Sequence, residues 1–301
     1  MKRKVVRQGA ATMMVSLPSK WVKKVHLKKG DEIDIEESNG ALTISREAVA
    51  VKKHATVNIS SYTESAVRIA IWNAYRTGYD SVLVRFKDEK QYKIIKDVIK
   101  NYIVGFDIVK REKDNCMLEN ISEPSEEQFD VIFRKILYNI SLLLEITEDR
   151  LRNKPVVDDY KEVVMKIHQY DNFCRRVITK RHLPYANLLW TFLVLITHGQ
   201  REIYYLNKFL DTSSVHFRNF EFFEKLKRMF DFVQDGYAKK DIVSIEKMHD
   251  LQKGNYEYFC KLIQKNGREN VVLYHISAAM RNFYFTGSPL LSLLLESNIS
   301  K

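Results

Sequence analysis

More than half of the chain, residues 123–301, has the pattern of long amphipathic helices. Apolar side chains recur there at every third or fourth position, which places them on one face of a helix. Glycine and proline, which weaken or break helices, number only 10 and 5 in 301 residues. We predict six helices, with breaks at Gly236 and Gly267, at about residues 125–152, 156–181, 184–210, 216–235, 238–265 and 268–297. In two sets of three, they would form a pair of three-helix bundles.

Residues 1–53 instead have the pattern of a small β module. We predict a short helix at 19–25 and strands at 4–7, 13–17, 32–36 and 41–45. Asn39-Gly40 is a favoured hairpin turn because both residues tolerate a positive φ. The alternation in 32–36 would direct Ile33 and Ile35 towards a core. Because about 45 residues bury too little apolar surface to fold alone, we predict a dimer in which strands of two chains interleave.

Positive charge is concentrated at the N-terminus. The first thirty residues hold nine Lys and Arg and no Asp or Glu, and the whole chain has a formal net charge of +11. A cluster of this kind favours a polyanionic partner, whereas evenly spread charge would only keep the surface solvated.

Part of this module resembles a known family. The resemblance rests on Arg7-Gln8-Gly9, the segment MVSLPSKWVKK at 14–24 and the segment LKKGDEIDI at 27–35. In this order they resemble the AbrB/SpoVT swapped-hairpin DNA-binding domain across residues 3–47. The resemblance implies an intertwined dimer whose basic face binds double-stranded DNA. The basic residues that match the family's DNA-contacting positions are Arg3, Lys4, Arg7, Lys20, Lys23 and Lys24.

The middle of the chain, residues 54–122, has an α/β pattern. We predict helices at 63–77, capped by Ser61 or Thr63, and at 89–102, and strands at 54–59, 81–84, 108–109 and 117–118. The segments 75–82 and 102–109 resemble each other, since in each a helix ends at a glycine, Gly78 or Gly105, before a strand begins. Two interpretations stay open: a ligand-binding regulatory module, or a structural connector that uses one turn twice.

The helical region behind such a head resembles the PhoU family, in the archaeal-type fusion of an AbrB-like domain to PhoU helices. The resemblance implies a regulator of phosphate uptake that contacts the phosphate transporter or a signalling protein. PhoU helices often carry two acids four residues apart, which can bind metal. Here Glu246 and Asp250 keep that spacing, whereas Asp171 has Ile167 four positions before it. Asp171, Glu246 and Asp250 are therefore the candidate metal ligands, and we expect no other cofactor.

Several other side chains of the helical region have both a binding and a structural interpretation. His168 and Asp171, three residues apart on one helix, could ligate a metal or share a hydrogen bond. Two histidines could face each other or lie apart, and two basic pairs could contact an anion or be solvated. These residues are His198, His275, Arg175-Arg176 and Lys180-Arg181. The phenylalanines between 217 and 232 indicate a core helix, and the alternative is that they form a partner groove or a dimer face.

The sequence has no GxSxG, Walker, HExxH or zinc-binding Cys/His spacing, so we do not expect an enzyme. No signal-peptide pattern or bilayer-length apolar run is present, which predicts a cytoplasmic location without membrane insertion. We predict a multi-domain α+β protein with an AbrB-like domain at 1–53, an α/β module at 54–122 and a PhoU-like helical domain at 123–301. Its predicted function is that of a dimeric DNA-binding transcription regulator. The alternative is a signalling adaptor of the phosphate transporter whose head only forms dimers.

Overall fold

The computed structural model describes residues 2–38, 41–45, 52–122, 125, 127–181, 183, 185–265, 267 and 269–299. The chain divides into two compact units, Met1–Lys52 and Lys53–Lys301. The first unit is a small strand module, and the second contains a mixed sheet with helices and a helical region. The fold is therefore multi-domain α+β, as the sequence predicts. The predicted turn Asn39-Gly40 lies outside the described residues.

The N-terminal unit contains two hairpins connected by a short helix. β1 (Val5–Gln8) pairs antiparallel with β2 (Thr12–Val15), and β3 (Asp34–Ser38) pairs antiparallel with β4 (Ala41–Ser45). Helix α1 (Ser19–Lys24) lies between the two hairpins in the chain. The predicted strands and helix are thus present, with ends that differ by one or two residues, as is usual for element boundaries.

This unit has no core of its own, because none of the side chains described in residues 2–45 is buried. Ile35 is 57% exposed, so a single chain does not supply the core that the alternation in 32–36 predicts for it. An isolated two-stranded hairpin is at best marginally stable in water. The apolar residues of the first hairpin are exposed as well, namely Val5, Val6, Met13, Met14 and Val15.

In the second unit, four strands form one mixed sheet in the order β5-β6-β8-β7. β5 (His54–Asn58) and β6 (Ser81–Arg85) are parallel and are connected through helix α2 (Glu64–Arg76). β7 (Phe106–Arg111) and β8 (Asn115–Asn120) form an antiparallel hairpin, and β8 pairs antiparallel with β6. Because β5 and β6 are parallel, their connection needs a crossover, which α2 provides.

The edge strand β7 contains a β-bulge. Ile108 pairs with Leu118 and Lys110 pairs with Met117, so Val109 is an extra residue on one strand. The strand that follows the bulge is exposed and charged.

Helix α3 (Glu89–Tyr102) precedes this hairpin and, like α2, has a side-chain cap. Thr63, one of the two predicted caps, accepts a hydrogen bond from the backbone N–H of Ala66 at the start of α2. Asp88 accepts from the N–H of Gln91 at the start of α3, over 2.9 Å. These bonds satisfy amide groups that have no partner within the helix.

Gly78 and Gly105 occupy the matching turns that the sequence predicts. Their φ angles are +81° and +79°, a backbone region that favours glycine. At Gly105 a Cβ atom would lie 2.1 Å from the carbonyl oxygen of Ser122, so the site has no room for a side chain.

The rest of the second unit is helical, with eight helices in the part of the chain that the structure describes. They are α4 (Gln128–Leu151), α5 (Tyr160–Arg181), α6 (Ala186–Leu210), α7 (Phe220–Lys239), α8 (Ile242–Gln252), α9 (Asn255–Lys265), α10 (Asn270–Phe285) and α11 (Gly287–Ile299). Two of the six predicted helices are therefore each divided in two, 238–265 near Gly254 and 268–297 at Thr286. The predicted break at Gly267 falls between α9 and α10.

The predicted break at Gly236 is wrong, because this glycine lies within α7. A Cβ atom there would lie 2.7 Å from Cδ2 of Leu290, so the glycine permits close packing and does not end the helix. The helix ends at Lys239, and the next residue, Lys240, has a left-handed φ of 57°.

One continuous hydrophobic core runs through the helices of this region. α6 packs against α4 and α5, which precede it in the chain, and against α10 and α11, which follow it. The two predicted sets of three helices therefore share this core. The phenylalanines of α7 contribute to it, as predicted, with Phe222, Phe223 and Phe230 almost fully buried. Among the described helices, none is both long and apolar enough to cross a bilayer.

Candidate nucleic-acid interface

The six basic residues predicted to bind DNA lie in the N-terminal unit and are all exposed. Arg3 and Lys4 immediately precede β1, and Arg7 lies within it. Lys20, Lys23 and Lys24 belong to α1. None of the six forms an ion pair with any residue that the structure describes, so their charges are available to an external anion.

Local sequence explains why the lysines of α1 point to solvent. Trp21, Val22 and Val25 are partly buried, whereas all three lysines of the helix are exposed. The apolar positions recur with helical spacing, which leaves the basic positions on the other face. The helix follows Pro18, which has extended backbone angles and an accepting carbonyl for the N–H of Val22.

The strand register places Arg7 beside apolar side chains. Arg7 is paired with Met13, and Val5 with Val15, so these four side chains lie on one face of the first hairpin. The guanidinium of Arg7 donates to the carbonyl oxygen of Ala10 over 2.6 Å, which ties it to the turn. This face therefore combines a cation with exposed apolar surface.

The predicted metal ligands are in two different environments. The buried carboxylate of Asp171 accepts hydrogen bonds from Arg76 and Arg175, each at 2.8 Å. Glu246 and Asp250 are exposed on α8. Within the described part of the chain, no three His, Cys, Asp or Glu side chains are grouped so that they could hold a metal ion. Metal binding by these residues stays a prediction.

The histidines with two interpretations have separate partners. The ring of His168 stacks on Trp72, with centroids 5.7 Å apart, and burial lowers its pKa to about 4. His275 Nδ1 lies 2.9 Å from a carboxylate oxygen of Glu202. His198 is exposed, and its pKa is lowered by desolvation and by nearby Arg201.

Arg175 and Arg176, for which the sequence left anion binding or solvation open, are both buried. Arg176 is completely buried and donates to the carbonyl oxygens of Tyr75 and Tyr79, both over 2.9 Å. Its guanidinium also lies 3.2 Å from the carboxylate of Asp80. These bonds join α5 to the end of α2 and the start of β6.

Asp80 is the centre of this buried network. Lys180 donates to it over 2.7 Å, and the backbone N–H of Lys53 donates over 2.9 Å. Burial alone would raise the pKa of Asp80, but these donors and Arg176 outweigh burial and keep the pKa below its usual value. One feature of the sequence is consistent with a buried polar network: charged residues lie among the apolar positions of α5.

A comparison with protein families supports the assignment of the N-terminal unit. The family model described as "Antidote-toxin recognition MazE, bacterial antitoxin" matches residues 6–53. This region is therefore a MazE/AbrB-like module of the swapped-hairpin type. Domains of this class typically dimerise and bind DNA. No curated protein and no solved structure matches the chain. No family match supports the resemblance of the helical region to PhoU, which stays a prediction.

Proposed function

We propose that this protein is a dimeric DNA-binding transcription regulator. The observation that carries the proposal is a unit in which six basic side chains are exposed and form no ion pair with a described residue, and in which no described side chain is buried. The exposed positive charges favour binding of a polyanion, and the exposed apolar strands favour association with a second copy of the chain. The MazE/AbrB-like class supports both parts of the proposal.

The dimer follows from the cost of exposed apolar surface. Val5, Met13 and Leu42 are each about two-thirds exposed in the single chain. Burial of such side chains contributes roughly 1.5–3 kcal/mol each when it is complete. Interleaving the hairpins of two chains would supply this burial, and the edges of both hairpins would gain partners.

The charge of the dimer suits the phosphate backbone of DNA. Two copies bring twelve of these Lys and Arg side chains together, and each one placed on a phosphate releases a condensed counterion. If ~6–10 phosphates are contacted, the affinity falls ~10³–10⁵-fold between 50 and 200 mM salt. Because most of the six are lysines, we expect contacts to phosphates and a modest direct readout of bases.

The helical region would sense a signal or bind a partner of the regulator. A role in phosphate uptake, with a transporter or signalling protein as partner, rests on the resemblance to PhoU alone. The competing proposal is an adaptor whose head only dimerises. The family description also names toxin recognition, so a protein partner of the head is a further alternative.

A salt titration of duplex DNA binding by the full-length chain tests the regulator. We expect tight binding at low salt with a steep salt dependence. The variant Lys20→Glu/Lys23→Glu/Lys24→Glu is expected to lose binding, because six positive charges of the dimer become six negative ones. Filter binding or a gel-shift assay measures the affinity.

The matched control changes three exposed lysines of α3, Lys93, Lys96 and Lys100, to Glu. The change in net charge is the same, so loss of a general attraction to DNA would affect both variants equally. Full affinity in the control with loss in the α1 variant supports the interface. If the wild type binds DNA weakly and the α1 variant binds it equally weakly, the adaptor proposal is supported instead. Sedimentation would then show whether the head dimerises.

A further inference from the structure

Two arginines, one from α2 and one from α5, bind a single carboxylate in the second unit, and a third arginine from α6 lies nearby. Arg76 of α2 donates through Nη2 to Asp171 Oδ2 over 2.8 Å. Arg175 of α5 donates through Nε to both oxygens of Asp171, over 2.8 and 3.0 Å. Arg201 of α6 lies close enough to lower the pKa of Arg76, after the larger effect of burial. We call these four residues the arginine cluster.

Among the residues that the structure describes, most guanidinium nitrogens of the arginine cluster have no hydrogen-bond acceptor. Arg76 uses Nε for Asn172 and Nη2 for Asp171, and its Nη1 has no partner in the described part of the chain. Among those same residues, neither Nη of Arg175 has an acceptor, and neither atom belongs to the buried groups without a partner. Arg201 is exposed and forms no hydrogen bond or ion pair with a described residue.

Aromatic rings hold two of these guanidinium groups in place. The guanidinium of Arg175 lies over the ring of Trp190, 4.7 Å from its centroid. That of Arg76 lies over Trp72 at 5.8 Å. Fixed donors lose little conformational entropy when a ligand binds, which makes such a site stronger than a group of mobile surface arginines.

The arginine cluster has two more positive than negative charges. The neighbouring histidines, His168 and His198, do not add to the excess at neutral pH, because burial and the arginines lower the pKa of each. Glu202 follows Arg201 in α6, but its carboxylate lies 2.9 Å from His275 of α10. Arg76 and Arg175 are largely removed from water and share one carboxylate. Because buried charges are normally paired, a counter-anion would complete the arginine cluster.

We propose that Arg76, Arg175 and Arg201 bind a small dianionic oxyanion, such as inorganic phosphate, sulfate or the phosphoryl group of a monoester. The planar fork of a guanidinium matches the spacing of two oxygens on such an anion. A dianion would also balance the two excess charges. The bound anion would join α2 of the sheet layer to α5 and α6 of the helical region. This inference goes beyond DNA binding and does not depend on it.

Isothermal titration calorimetry of the full-length chain tests the site. The probes are sodium phosphate, sodium sulfate and adenosine monophosphate, with chloride at matched ionic strength as the reference. We expect saturable binding of at least one of the three, and their order of affinity distinguishes a free anion from a phosphoryl monoester. Absence of saturable binding for all three at millimolar concentration would overturn the proposal.

Two single variants with the same charge change locate the binding. Arg201→Gln removes an exposed side chain that forms no hydrogen bond or ion pair with a described residue, so we expect the fold to be retained. We expect at least ~10-fold weaker binding, because the anion loses a charge-assisted hydrogen bond. Arg228→Gln, at an exposed position of α7, is expected to leave the affinity unchanged. Equal weakening by both variants would show non-specific attraction and contradict the site.

Two further variants show whether the anion binds at the arginine cluster and nowhere else. Asp171→Asn removes the carboxylate that competes for the arginines, so the anion is expected to bind more tightly, whereas a purely structural cluster would show no binding in either form. The triple glutamate variant of α1 is expected to keep the wild-type affinity for the anion. Loss of anion binding in that variant would move the site to the N-terminal unit and overturn the proposal.

Discussion

The two units of this protein use basic residues in opposite ways. In the second unit Arg176 is completely buried, and its donors are taken up by backbone carbonyls and Asp80. In the N-terminal unit Lys20, Lys23 and Lys24 are exposed and have no ion-pair partner among the described residues. Basic side chains thus join a helix to the sheet in the second unit, whereas in the N-terminal unit they are exposed to an external partner.

The apolar residues show the same contrast. The second unit encloses two hydrophobic clusters, one around the sheet and one among the helices. The described part of the first unit encloses none, although its strands are rich in Val, Ile and Met. The second unit therefore encloses its cores within one chain, whereas we propose that the N-terminal unit completes its core with a second chain. The predictions below test that difference.

The largest effect is expected for Ile35→Asp, which tests whether an exposed residue behaves as a core residue in the dimer. Ile35 is paired with Ile44 across the second hairpin. An unpaired carboxylate in a dimer core costs several kcal/mol. Because each of the two copies would bury one, dimerisation is expected to weaken by at least ~10⁴-fold. Analytical ultracentrifugation should show the mass fall from twice the 35.5 kDa of the chain towards that of one chain.

The control for that experiment is Val157→Asp, since Val157 is completely exposed in the second unit. It is expected to leave the dimer intact. If Ile35→Asp also stayed dimeric, with unchanged DNA binding, the N-terminal unit would not form its core from two chains.

A smaller effect is expected for Asp80→Ala, which tests the buried network of the second unit. The change leaves the buried guanidinium of Arg176 and the ammonium of Lys180 without their carboxylate. Loss of one partner of a buried ion pair costs about 3–5 kcal/mol in free energy of unfolding. Urea denaturation followed by circular dichroism measures it. Asp235→Ala breaks an exposed pair with Lys239 and is expected to cost no more than about 1 kcal/mol.

The smallest of the three effects is a pH dependence from His168. Burial lowers the pKa of this ring to about 4, against about 6.5 in the unfolded chain. Between these values only the unfolded chain takes up the proton, so stability falls as pH falls through that window. We expect a loss of about 2 kcal/mol between pH 7.5 and 5, measured by urea denaturation at each pH.

The variant His168→Phe keeps a ring against Trp72 and cannot be protonated. Its stability is therefore expected to change less between the same two pH values. Carboxylates with lowered pKa values, such as Asp80, contribute mainly below the unfolded value of about 4 and do not interfere. An equal loss in both proteins would assign the pH dependence to other groups.

Local signals in the sequence were sufficient for most of the elements. Alternation in 32–36, the cap at Thr63 and the glycines 78 and 105 each act within a few residues, so a pattern can identify them. The exposed basic face of α1 follows in the same way from helical spacing. The family match to 6–53 agrees with the motifs on which the resemblance rests.

Features that depend on distant parts of the chain could not be predicted. Gly236 carries no local mark that separates a helix end from close packing against Leu290, 54 positions later. The bonds of Arg176 reach back about a hundred residues, to Tyr75 and Tyr79. By contrast, Gly287-Ser288-Pro289 was a usable signal for the division at Thr286, because proline is favoured in the first turn of a helix.

The bulge in β7 has a consequence for assembly. Lys110 and Arg111, which follow Val109 on this outer strand, are exposed. Their charge and the irregular register disfavour pairing of this edge with a strand of another chain. If the amino-terminal hairpins of two chains interleave as proposed, an open sheet edge elsewhere would allow such dimers to add side by side into fibres. Blocking this edge favours an association that closes after two molecules.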